Sequence, residues 1–385
     1  MIKKIGVITF ARSEYSSLKP VLKELIRQPD FETQLFVSGM HLSPIYGESI
    51  KVIESDGFEI TARIPMAITE DSPNGVCSSL GELIANLSDE FVKHRPDLIL
   101  MVGDRYELLA AASSALIHKI PIAHISGGDN TEGAIDNQIR HAVTKMSHLH
   151  FVSMSEHAQR VLQMGEEPWR VHITGDPALD DLRQGVQLGK PDLERRLGFH
   201  LESPLLLVTY HPTTLAATSP AFEVECLLSA LEKINATMVI TSPNADVGNH
   251  VIIDKIKGFC LDHPHAHYVQ NLGPNFYNFL SVADAMVGNS SSGIWEAPSF
   301  RLPSVNIGDR QKGRLRVKNV IDSPLDSNAI YDSVRKALSA DFRNNLDDLV
   351  NPYGDGHASE RIIRILNAHR NTTDLLAKRF VINTQ

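Results

Sequence analysis

The chain has 385 residues, 42% of them hydrophobic and 22% charged, which is enough to form two buried cores. Its formal net charge of -9 argues against a general binder of nucleic acids or anionic membranes, because such proteins present basic surfaces. The three cysteines are an odd number without CxxC spacing, so neither a disulfide framework nor a thiolate zinc site is indicated; they are Cys77, Cys226 and Cys260.

The first half of the chain alternates apolar strands with helical patterns. The strand "KKIGVITF" leads through the loop "ARSEYS" into the helical pattern "SLKPVLKELIRQ" and the strand "TQLFVSG", and the same order returns in "PDLILMVGD", "RYELLAAASSALIHK" and "IPIAHISGG". This order predicts a helix-covered parallel sheet of the Rossmann type. The opening apolar run Ile5–Phe10 is too short for a secretory signal and no long apolar stretch follows, so we expect a cytoplasmic protein.

The pattern restarts after the Gly-Asp-Pro interruption at Gly175–Pro177. The stretches "PLLLVTYHP", "FEVECLLSALEKI" and "ATMVITSPN" predict strand, helix and strand, and "VADAMVGN" followed by "LPSVNIGDR" repeats the logic of "LILMVGDR". We therefore predict an α/β fold with two Rossmann-like domains facing across a cleft, residues 1–175 and 176–385. The C-terminal helix is a candidate to pack back on the first domain. Because ligands of open parallel sheets bind beyond the carboxyl ends of the strands, residues that follow strands are the candidate site residues.

The stretch "GNSSSG" follows a predicted strand and begins a predicted helix, so its backbone N–H groups and hydroxyls can converge on a phosphate. Ser290, Ser291 and Gly293 are the phosphate candidates, and Glu296 is placed to reach a hydroxylated group such as ribose. The alternative interpretation is an ordinary helix N-cap at Ser292.

Basic residues follow other predicted strands. Arg310 and Lys312 in "GDRQKGR", and Arg12 with Ser16 in "ARSEYS", would bring positive charge and a hydroxyl to the same phosphates. Taken singly, each is equally compatible with a solvated basic turn. Their recurrence at strand ends in both halves favours the phosphate interpretation.

Acid–base candidates lie in the first half. Asp104 and Arg105 follow "MVG", and Asp136 lies four residues before Arg140, so the two share one helical face. In a cleft, a carboxylate beside an arginine can act as an acid or base; on the surface it is an ion pair. Three histidines near strand ends or this helix are further candidates or structural residues: His124, His141 and His211.

Other chemistries lack support in the sequence. There is no GxGxxG followed by a ribose-binding acid, no GxxxxGK[ST] and no GxSxG, so dehydrogenase, P-loop and esterase interpretations lose their usual basis. The runs "HLH" and "HPHAHY" lack the carboxylates or cysteines that would complete a zinc site. We expect neither a metal nor an organic cofactor.

In chain order, eight stretches resemble the UDP-N-acetylglucosamine 2-epimerases, and within them the hydrolysing branch that makes N-acetylmannosamine for sialic acid. They are "ARSEYSSLKP", "SGMHLSPIYG", "VGDRYELLAAA", "HISGGDNTEGAIDNQIRHAVTKMSHLH", "HPTT", "GNSSSGIWEAP", "NIGDRQKGR" and "NPYGDGHASERI". The resemblance implies a glycosyltransferase-B-like pair of domains with a UDP-sugar between them, and a homodimer or homotetramer.

The resemblance also implies roles for single residues. Ser290 and Ser291 would hold the diphosphate and Glu296 the ribose, and the rest of the UDP site would comprise Arg310, Arg12, Ser16 and Arg105. The family's reaction removes the C2 proton of the sugar, eliminates UDP in the anti sense and hydrates the resulting glycal. The catalytic set implied is Asp104, Asp136, Arg140 and His211, with His124 and His141 in support.

One departure from the family is Ser126, where many relatives have glutamate. A serine cannot replace a carboxylate base unaided, so either this position is dispensable or Asp129 or Glu132 substitutes for it. Four alternative functions stay open: hydrolysing 2-epimerase of UDP-N,N'-diacetylbacillosamine for legionaminic acid, non-hydrolysing epimerase, glycosyltransferase, and non-catalytic UDP-sugar-binding protein.

Overall fold

The computed structural model describes residues 2–66, 72–132, 134–184, 187–213, 218–244 and 246–382. The strands are β1 (Lys4–Thr9), β2 (Glu32–Val37), β3 (Ile60–Arg63), β4 (Leu98–Val102), β5 (Ile122–Ile125), β6 (Leu149–Val152), β7 (Val171–Ile173), β8 (Leu205–Thr209), β9 (Thr237–Thr241), β10 (Ala266–Val269), β11 (Ala285–Gly288), β12 (Ser304–Ile307) and β13 (Val320–Ser323). The α-helices are α1 (Arg12–Ile26), α2 (Ile50–Ser55), α3 (Pro73–His94), α4 (Glu107–Ile117), α5 (Asp136–Met146), α6 (Ser155–Gln163), α7 (Lys190–Leu197), α8 (Pro220–Leu231), α9 (Asn249–Asp262), α10 (Phe276–Val282), α11 (Ser292–Trp295), α12 (Ser327–Leu338), α13 (Ala340–Asn344), α14 (Ala358–Ala368) and α15 (Thr372–Leu376).

The chain forms two compact units. The first unit contains the residues up to Asp129, Asp136–Arg183 and the chain from Pro352 onward, and the second contains Asn130–Ile135 and Gln184–Asn351. The division proposed from the sequence, 1–175 and 176–385, differs from this grouping at 130–135, at 176–183 and in the C-terminal stretch from residue 352.

Each unit contains a parallel sheet with the strand order of a doubly wound fold. The first sheet has the order β3-β2-β1-β4-β5-β6-β7 and the second the order β10-β9-β8-β11-β12-β13, with every described pairing parallel. In both sheets the order reverses between two adjacent strands, β1 and β4 in the first and β8 and β11 in the second. The predicted α/β class with two Rossmann-like domains is confirmed.

The apolar strands are explained by burial on both faces of each sheet. Along β4, Leu98, Leu100 and Val102 enter one hydrophobic core, whereas Ile99 and Met101 enter the core on the opposite face. Successive side chains of a strand point to opposite faces, so a strand covered by helices on both sides must be apolar at every position. This requirement accounts for the continuous apolar runs in the sequence.

The C-terminal stretch is held on the first unit by the start of α14. The carboxylate of Asp180 accepts hydrogen bonds from the backbone N–H groups of Ala358 (2.9 Å) and Ser359 (2.6 Å), which are among those that a helix N-terminus leaves unsatisfied. Arg361, one turn later, donates to the carbonyl of Thr174 at 2.9 Å. The Asp180 carboxylate therefore anchors α14 to this unit.

Within the described ranges, no helix combines the length and apolar character needed to cross a bilayer.

Candidate active site

The reversal of strand order marks one candidate binding edge in each unit. In doubly wound sheets the connections leave such a point toward opposite faces and open a crevice beyond the carboxyl ends of the two strands. In the first unit, the residues at this edge follow β1 and β4 and include Arg12 and Asp104. In the second unit they follow β8 and β11 and include His211 and Ser290.

The strongest electrostatic feature of the first unit is an ion pair between Asp104 and Arg140. Arg140 Nη2 donates to Asp104 Oδ2, and Arg140 Nη1 donates to the backbone carbonyl of Asp129 at 3.1 Å. The arginine side chain is only 1% exposed, whereas that of Asp104 is 24% exposed. The carboxylate is thus held by a buried cation while it stays open to solvent.

Charge around Arg140 fixes its ionisation. Burial by itself would lower the pKa of Arg140, but the nearby carboxylates of Asp104, Asp129 and Asp136 raise that pKa above its usual value. Arg140 is therefore a permanent cation that stabilises the ionised form of Asp104. The structure therefore brings Asp104 into contact with Arg140, and the charge of Asp136, four residues earlier on the same helix, also acts on Arg140.

His124 is fully buried and lies close enough to this ion pair for both charges to act on its ring. Its Nε2 is 2.8 Å from the carbonyl oxygen of Gly103, and Thr144 Oγ1 is 3.5 Å from its Nδ1. Burial lowers the pKa of His124 to about 4, so the ring is neutral and donates to Gly103 through Nε2. This hydrogen bond supports the Gly103–Asp104 turn, and the catalytic role predicted for His124 from the sequence stays a prediction.

The supporting candidate His141 lies on α5 beside Arg140 and is half-buried. Burial lowers its pKa, and the positive charges of Arg140 and Arg160 lower it further. His141 Nδ1 is buried and has no hydrogen-bond partner among the described residues. The ring is therefore neutral near pH 7.

The basic candidates of the first unit differ in their surroundings. Arg105 is buried and pairs with fully buried Glu107, with Nε 3.2 Å and Nη2 3.3 Å from the two carboxylate oxygens. Arg12 is half-buried at the start of α1. Ser16 is exposed, and its hydroxyl donates to the Arg12 carbonyl at 2.7 Å, so its proton is already engaged within the helix. Its predicted contact with UDP stays a prediction, and one in which the hydroxyl oxygen would be the acceptor.

Glu14 is a residue of this edge that the sequence analysis missed. Its Oε2 accepts hydrogen bonds from the N–H groups of Phe10 (2.7 Å) and Ala11 (3.1 Å), and its Oε1 is buried without a partner among the described residues. Burial raises the pKa of Glu14 to about 8, and the charge of Glu107 raises it too, whereas Arg105 lowers it. An acid in the first turn after a strand end is the helix-start signal that would have revealed it.

In the second unit, His211 is positioned at the end of β8 by two asparagines. The backbone N–H of Asn244 donates to His211 Nδ1 at 3.0 Å, so the neutral ring carries its proton on Nε2. Asn289 Oδ1 accepts from the His211 N–H at 2.7 Å, and Asn289 Nδ2 donates to the His211 carbonyl at 2.8 Å. The ring can therefore act as a hydrogen-bond donor through Nε2.

The serine-rich turn after β11 has the predicted strand-to-helix geometry. Ser290 and Ser291 are partly exposed, and Ser290 Oγ accepts weakly from the Ser292 N–H at 3.4 Å. Gly293 has a packing reason to be glycine, because a Cβ there would lie 2.1 Å from Ser304 Oγ, and its N–H donates to the Ser290 carbonyl at 3.3 Å. Gly293 therefore allows α11 to pack closely against β12, and its predicted role as a phosphate ligand stays a prediction.

Glu296, the predicted ribose ligand, ends this short helix. Its Oε2 is buried and has no hydrogen-bond partner within the described part of the chain. Burial raises the pKa of Glu296 to about 7, although hydrogen bonds from its own N–H and from Ser292, together with the charge of Arg314, lower it. A buried carboxylate oxygen without a donor is the complement of a ligand hydroxyl.

The basic loop after β12 reaches the same turn. Arg310 Nη1 and Gln311 Nε2 both donate to the backbone carbonyl of Asn289, at 3.2 and 2.8 Å. Arg310 is partly exposed beside the serine turn, and Lys312 is exposed. The structure therefore brings Arg310 close to Ser290, as a site for a diphosphate requires.

The substitutes considered for the family glutamate at Ser126 lie in different surroundings. Asp129 is buried and its Oδ1 is 3.4 Å from His157 Nε2, whereas Glu132 is exposed and accepts from Asn130 Nδ2 at 3.0 Å. Ser126 itself has a φ of +67°, a left-handed conformation that is strained for a serine. Among the described residues, no three His, Cys, Asp or Glu side chains are arranged as metal ligands.

Comparison with known proteins shows the family. A family model described as UDP-N-acetylglucosamine 2-epimerase matches residues 23–367. A Campylobacter jejuni protein named GDP/UDP-N,N'-diacetylbacillosamine 2-epimerase (hydrolyzing) is 39% identical over 98% of this chain and 99% of its own length. A Legionella pneumophila protein named UDP-N,N'-diacetylbacillosamine 2-epimerase (hydrolyzing) is 35% identical over 95% of this chain and 96% of its own length.

Among solved structures, the UDP-GlcNAc 2-epimerase from Neisseria meningitidis bound to UDP-GlcNAc aligns with a TM-score of 0.80 at 20% identity. The alignment covers 95% of this chain and all of that one. This likeness shows the fold, and the glycosyltransferase-B-like class predicted from the sequence is confirmed. The match over most of the chain and the identity to two hydrolysing enzymes show that the chain belongs to the UDP-N-acetylglucosamine 2-epimerase family.

Proposed function

We propose that this protein is a hydrolysing UDP-sugar 2-epimerase whose substrate is UDP-N,N'-diacetylbacillosamine. The observation that carries the proposal is identity over nearly the full chain to two relatives, 39% to one named for GDP/UDP-N,N'-diacetylbacillosamine and 35% to one named for UDP-N,N'-diacetylbacillosamine. It replaces the reaction that the sequence placed first, on UDP-N-acetylglucosamine for sialic acid, with the alternative considered beside it.

The reaction would proceed in two steps. A base removes the proton from C2 of the sugar, the electron pair of that bond forms the C1–C2 double bond, and the C1–O bond breaks to release UDP. Water then adds to the glycal, with its hydroxyl on C1 and a proton on C2 from the opposite face. The products are UDP and the free sugar epimerised at C2.

The described residues offer a group for each requirement of this chemistry. Asp104 is a carboxylate that a buried arginine keeps ionised and that is partly open to solvent, as a base for C2 requires. Asp136, at the start of α5, is the candidate second acid–base group. His211 can donate from Nε2 toward the departing diphosphate, and Arg310 with the turn at Ser290 and Ser291 would stabilise its charge.

The second candidate substrate is UDP-N-acetylglucosamine, which the description of the matched family favours. Its product would be free N-acetylmannosamine. A dimeric or tetrameric assembly and a cytoplasmic location, both expected from the sequence, stay predictions.

The deciding experiment incubates the purified protein in D₂O with each UDP-sugar in turn and follows proton NMR. We expect release of UDP and of a free 2-epimer that carries deuterium at C2. We also expect kcat/KM to be higher for UDP-N,N'-diacetylbacillosamine than for UDP-N-acetylglucosamine. A higher kcat/KM for UDP-N-acetylglucosamine would establish the second candidate. A nucleotide-linked epimer would indicate a non-hydrolysing enzyme, and absence of change with both sugars would overturn the proposal.

A further inference from the structure

We propose that Asn289 is a positioning residue for the reaction, which holds His211 in a reactive orientation and connects it to the basic loop Asp309–Arg314. The inference rests on the proposed function in so far as His211 takes part in catalysis. It concerns a side chain that touches His211, not the substrate.

The first support is the reciprocal pair of hydrogen bonds between Asn289 and His211. The amide oxygen and nitrogen of Asn289 bind the backbone N–H and C=O of the same residue, at 2.7 and 2.8 Å, and Asn289 is fully buried. A planar amide that binds both backbone groups of His211 fixes that residue's position and the direction in which its side chain leaves the strand. A side chain needed only to fill space would not have to satisfy both groups.

The second support is the close approach of the two strands that carry these residues. Gly288 has a φ of +137°, and a Cβ there would lie 1.9 Å from the carbonyl oxygen of Thr209. The backbone of β11 therefore passes beside the end of β8 at a distance that no side chain allows. This approach lets the short side chain of Asn289 reach across to His211.

The third support is the connection from Asn289 to the basic loop. The Asn289 carbonyl accepts from Gln311 Nε2 at 2.8 Å and from Arg310 Nη1 at 3.2 Å, and Gln311 is fully buried. Gln311 Oε1 in turn accepts from Arg314 Nη1 at 2.7 Å. Asn289 thus joins the cationic loop and the histidine by direct hydrogen bonds.

The test is the isosteric variant Asn289→Asp. It keeps the acceptor for the His211 N–H but turns a carboxylate oxygen toward the His211 carbonyl, which repels it. We expect kcat to fall by about 10- to 100-fold, the scale of losing one oriented buried hydrogen bond, while the Kd for UDP changes by less than about threefold.

A matched control is Asn319→Asp. Asn319 is also fully buried in the second unit and donates to two backbone carbonyls, those of Gly293 (3.1 Å) and Leu302 (3.0 Å), without contact to His211. We expect this variant to lower the Tm about as much as Asn289→Asp and to keep kcat within about twofold of wild type. Equal loss of kcat in both variants would reduce Asn289 to a structural role and overturn the proposal.

A second readout does not depend on turnover. In protein labelled with ¹⁵N-histidine, the His211 ring signals, assigned by their loss in His211→Gln, should show the Nε2–H tautomer in wild type and a mixture of tautomers in Asn289→Asp. Unchanged ring signals in Asn289→Asp would show that Asn289 does not position His211, even if the wild type is active. Absence of turnover of any UDP-sugar by wild type would count against the proposed function alone.

Should Asn289→Asp fail to fold, Gln311→Glu provides the same test from the other side. It turns a carboxylate oxygen toward the Asn289 carbonyl, and we expect a lower kcat with the same disturbance of the His211 ring signals. A Gln311→Glu protein with wild-type kcat and ring signals would overturn the connection from the basic loop to His211.

Discussion

The side chains of Asp104 and Arg140 are 36 positions apart in the chain and form one ion pair in the folded protein. Neither residue is exceptional by itself, since an aspartate after a strand and an arginine on a helix are both ordinary surface residues. Burial of the guanidinium with an open carboxylate is what distinguishes the pair, because a buried cation needs a partner and stabilises that partner's charge. This asymmetry is the reason that Asp104 is the proposed base.

The first prediction concerns the charge of Asp104. Asp104→Asn should abolish turnover while UDP still binds, and it should lower the stability by about 1–3 kcal/mol because Arg140 loses its charged partner. Steady-state kinetics, UDP titration and thermal unfolding measure these effects. Asp97→Asn is the control, since Asp97 Oδ2 accepts from the Lys3 and Lys4 N–H groups at the opposite end of β4. It should keep the wild-type kcat, and normal turnover in Asp104→Asn would remove Asp104 from the mechanism.

The second prediction concerns pH and Glu296, whose pKa burial raises to about 7. Ribose hydroxyls would donate to the charged carboxylate. At pH values below this pKa, UDP binding therefore has to be accompanied by loss of the Glu296 proton. The affinity of wild type for UDP should therefore rise between pH 6 and 8, and Glu296→Gln should bind UDP more weakly without this rise. The nucleotide's own titration is the same for both proteins and cancels in the comparison.

The contribution of Glu296 to stability depends on pH in the opposite direction to its contribution to UDP affinity. The folded pKa of Glu296 lies above the usual value of 4.5, so the folded protein binds more protons than the unfolded chain and loses stability as the pH rises from about 4.5 to 7. Titration calorimetry and thermal unfolding at several pH values test both signs. Glu223→Gln, another buried glutamate of the second unit, is the control that should keep the pH dependence of UDP affinity. An unchanged pH dependence in Glu296→Gln would contradict the assignment to ribose.

At the scale of elements, the ends of β4 and β11 share a glycine with positive φ directly before a polar residue that we propose takes part in the reaction. Gly103 has a φ of +95° before Asp104, and Gly288 a φ of +137° before Asn289. A residue that tolerates this conformation lets the chain leave the sheet sharply, so the next side chain lies at the carboxyl edge. The repeated "VG" before a polar residue in the sequence is the signal of this turn.

The third prediction tests the close approach at Gly288. Gly288→Ala should destabilise the protein by several kcal/mol, about 3 or more, because the new Cβ would overlap the Thr209 carbonyl oxygen. Gly258→Ala is the matched control in the middle of α9, where nothing lies within 4 Å of the new Cβ. This control should gain about 0.5–1 kcal/mol from the higher helix propensity of alanine. Chemical denaturation measures the free energy of unfolding of both variants. Equal values for Gly288→Ala and Gly258→Ala would contradict a close approach of the backbone at Gly288.

At the scale of the whole molecule, the end of the chain is part of the first unit through a buried arginine. Arg170 Nη1 donates to the carbonyls of Leu375 (2.8 Å) and His148 (3.1 Å), and Nη2 donates to those of Asp374 (3.3 Å) and Ala377 (3.2 Å). Carbonyls at a helix C-terminus lack partners within the helix, and a guanidinium can satisfy several of them at once. Arg170 thereby links the end of α15 to His148, the residue that precedes β6.

The fourth prediction follows from this contact. Arg170→Met should speed hydrogen exchange of the amides in 372–382 and lower the Tm, because it leaves four carbonyls without their donor. Arg343→Met is the control, since Arg343 forms a partly exposed ion pair with Asp284 in the second unit and should change stability by less than about 1 kcal/mol. Exchange in 372–382 that matches wild type would show that the C-terminal segment does not depend on Arg170.

The sequence by itself determined the two parallel-sheet domains and the strand ends that carry polar residues. It could do so because a strand buried on both faces must be apolar throughout, and a turn at the carboxyl edge needs small and polar residues. These are local requirements that every segment satisfies independently. The motifs "VGDRYE" and "GNSSSG" were recognisable as strand ends for this reason.

Only the tertiary structure decided which of those residues act together. Whether Arg140 pairs with Asp104, and which backbone group His124 binds, depends on burial and on neighbours far away in the chain. Asn289 and Gln311 could not be identified from the sequence because their positions depend on contacts: the same side-chain amide can be solvated or buried. Protonation states belong to the same class, since the pKa of Glu296 is set by desolvation, which exists only after the chain has folded.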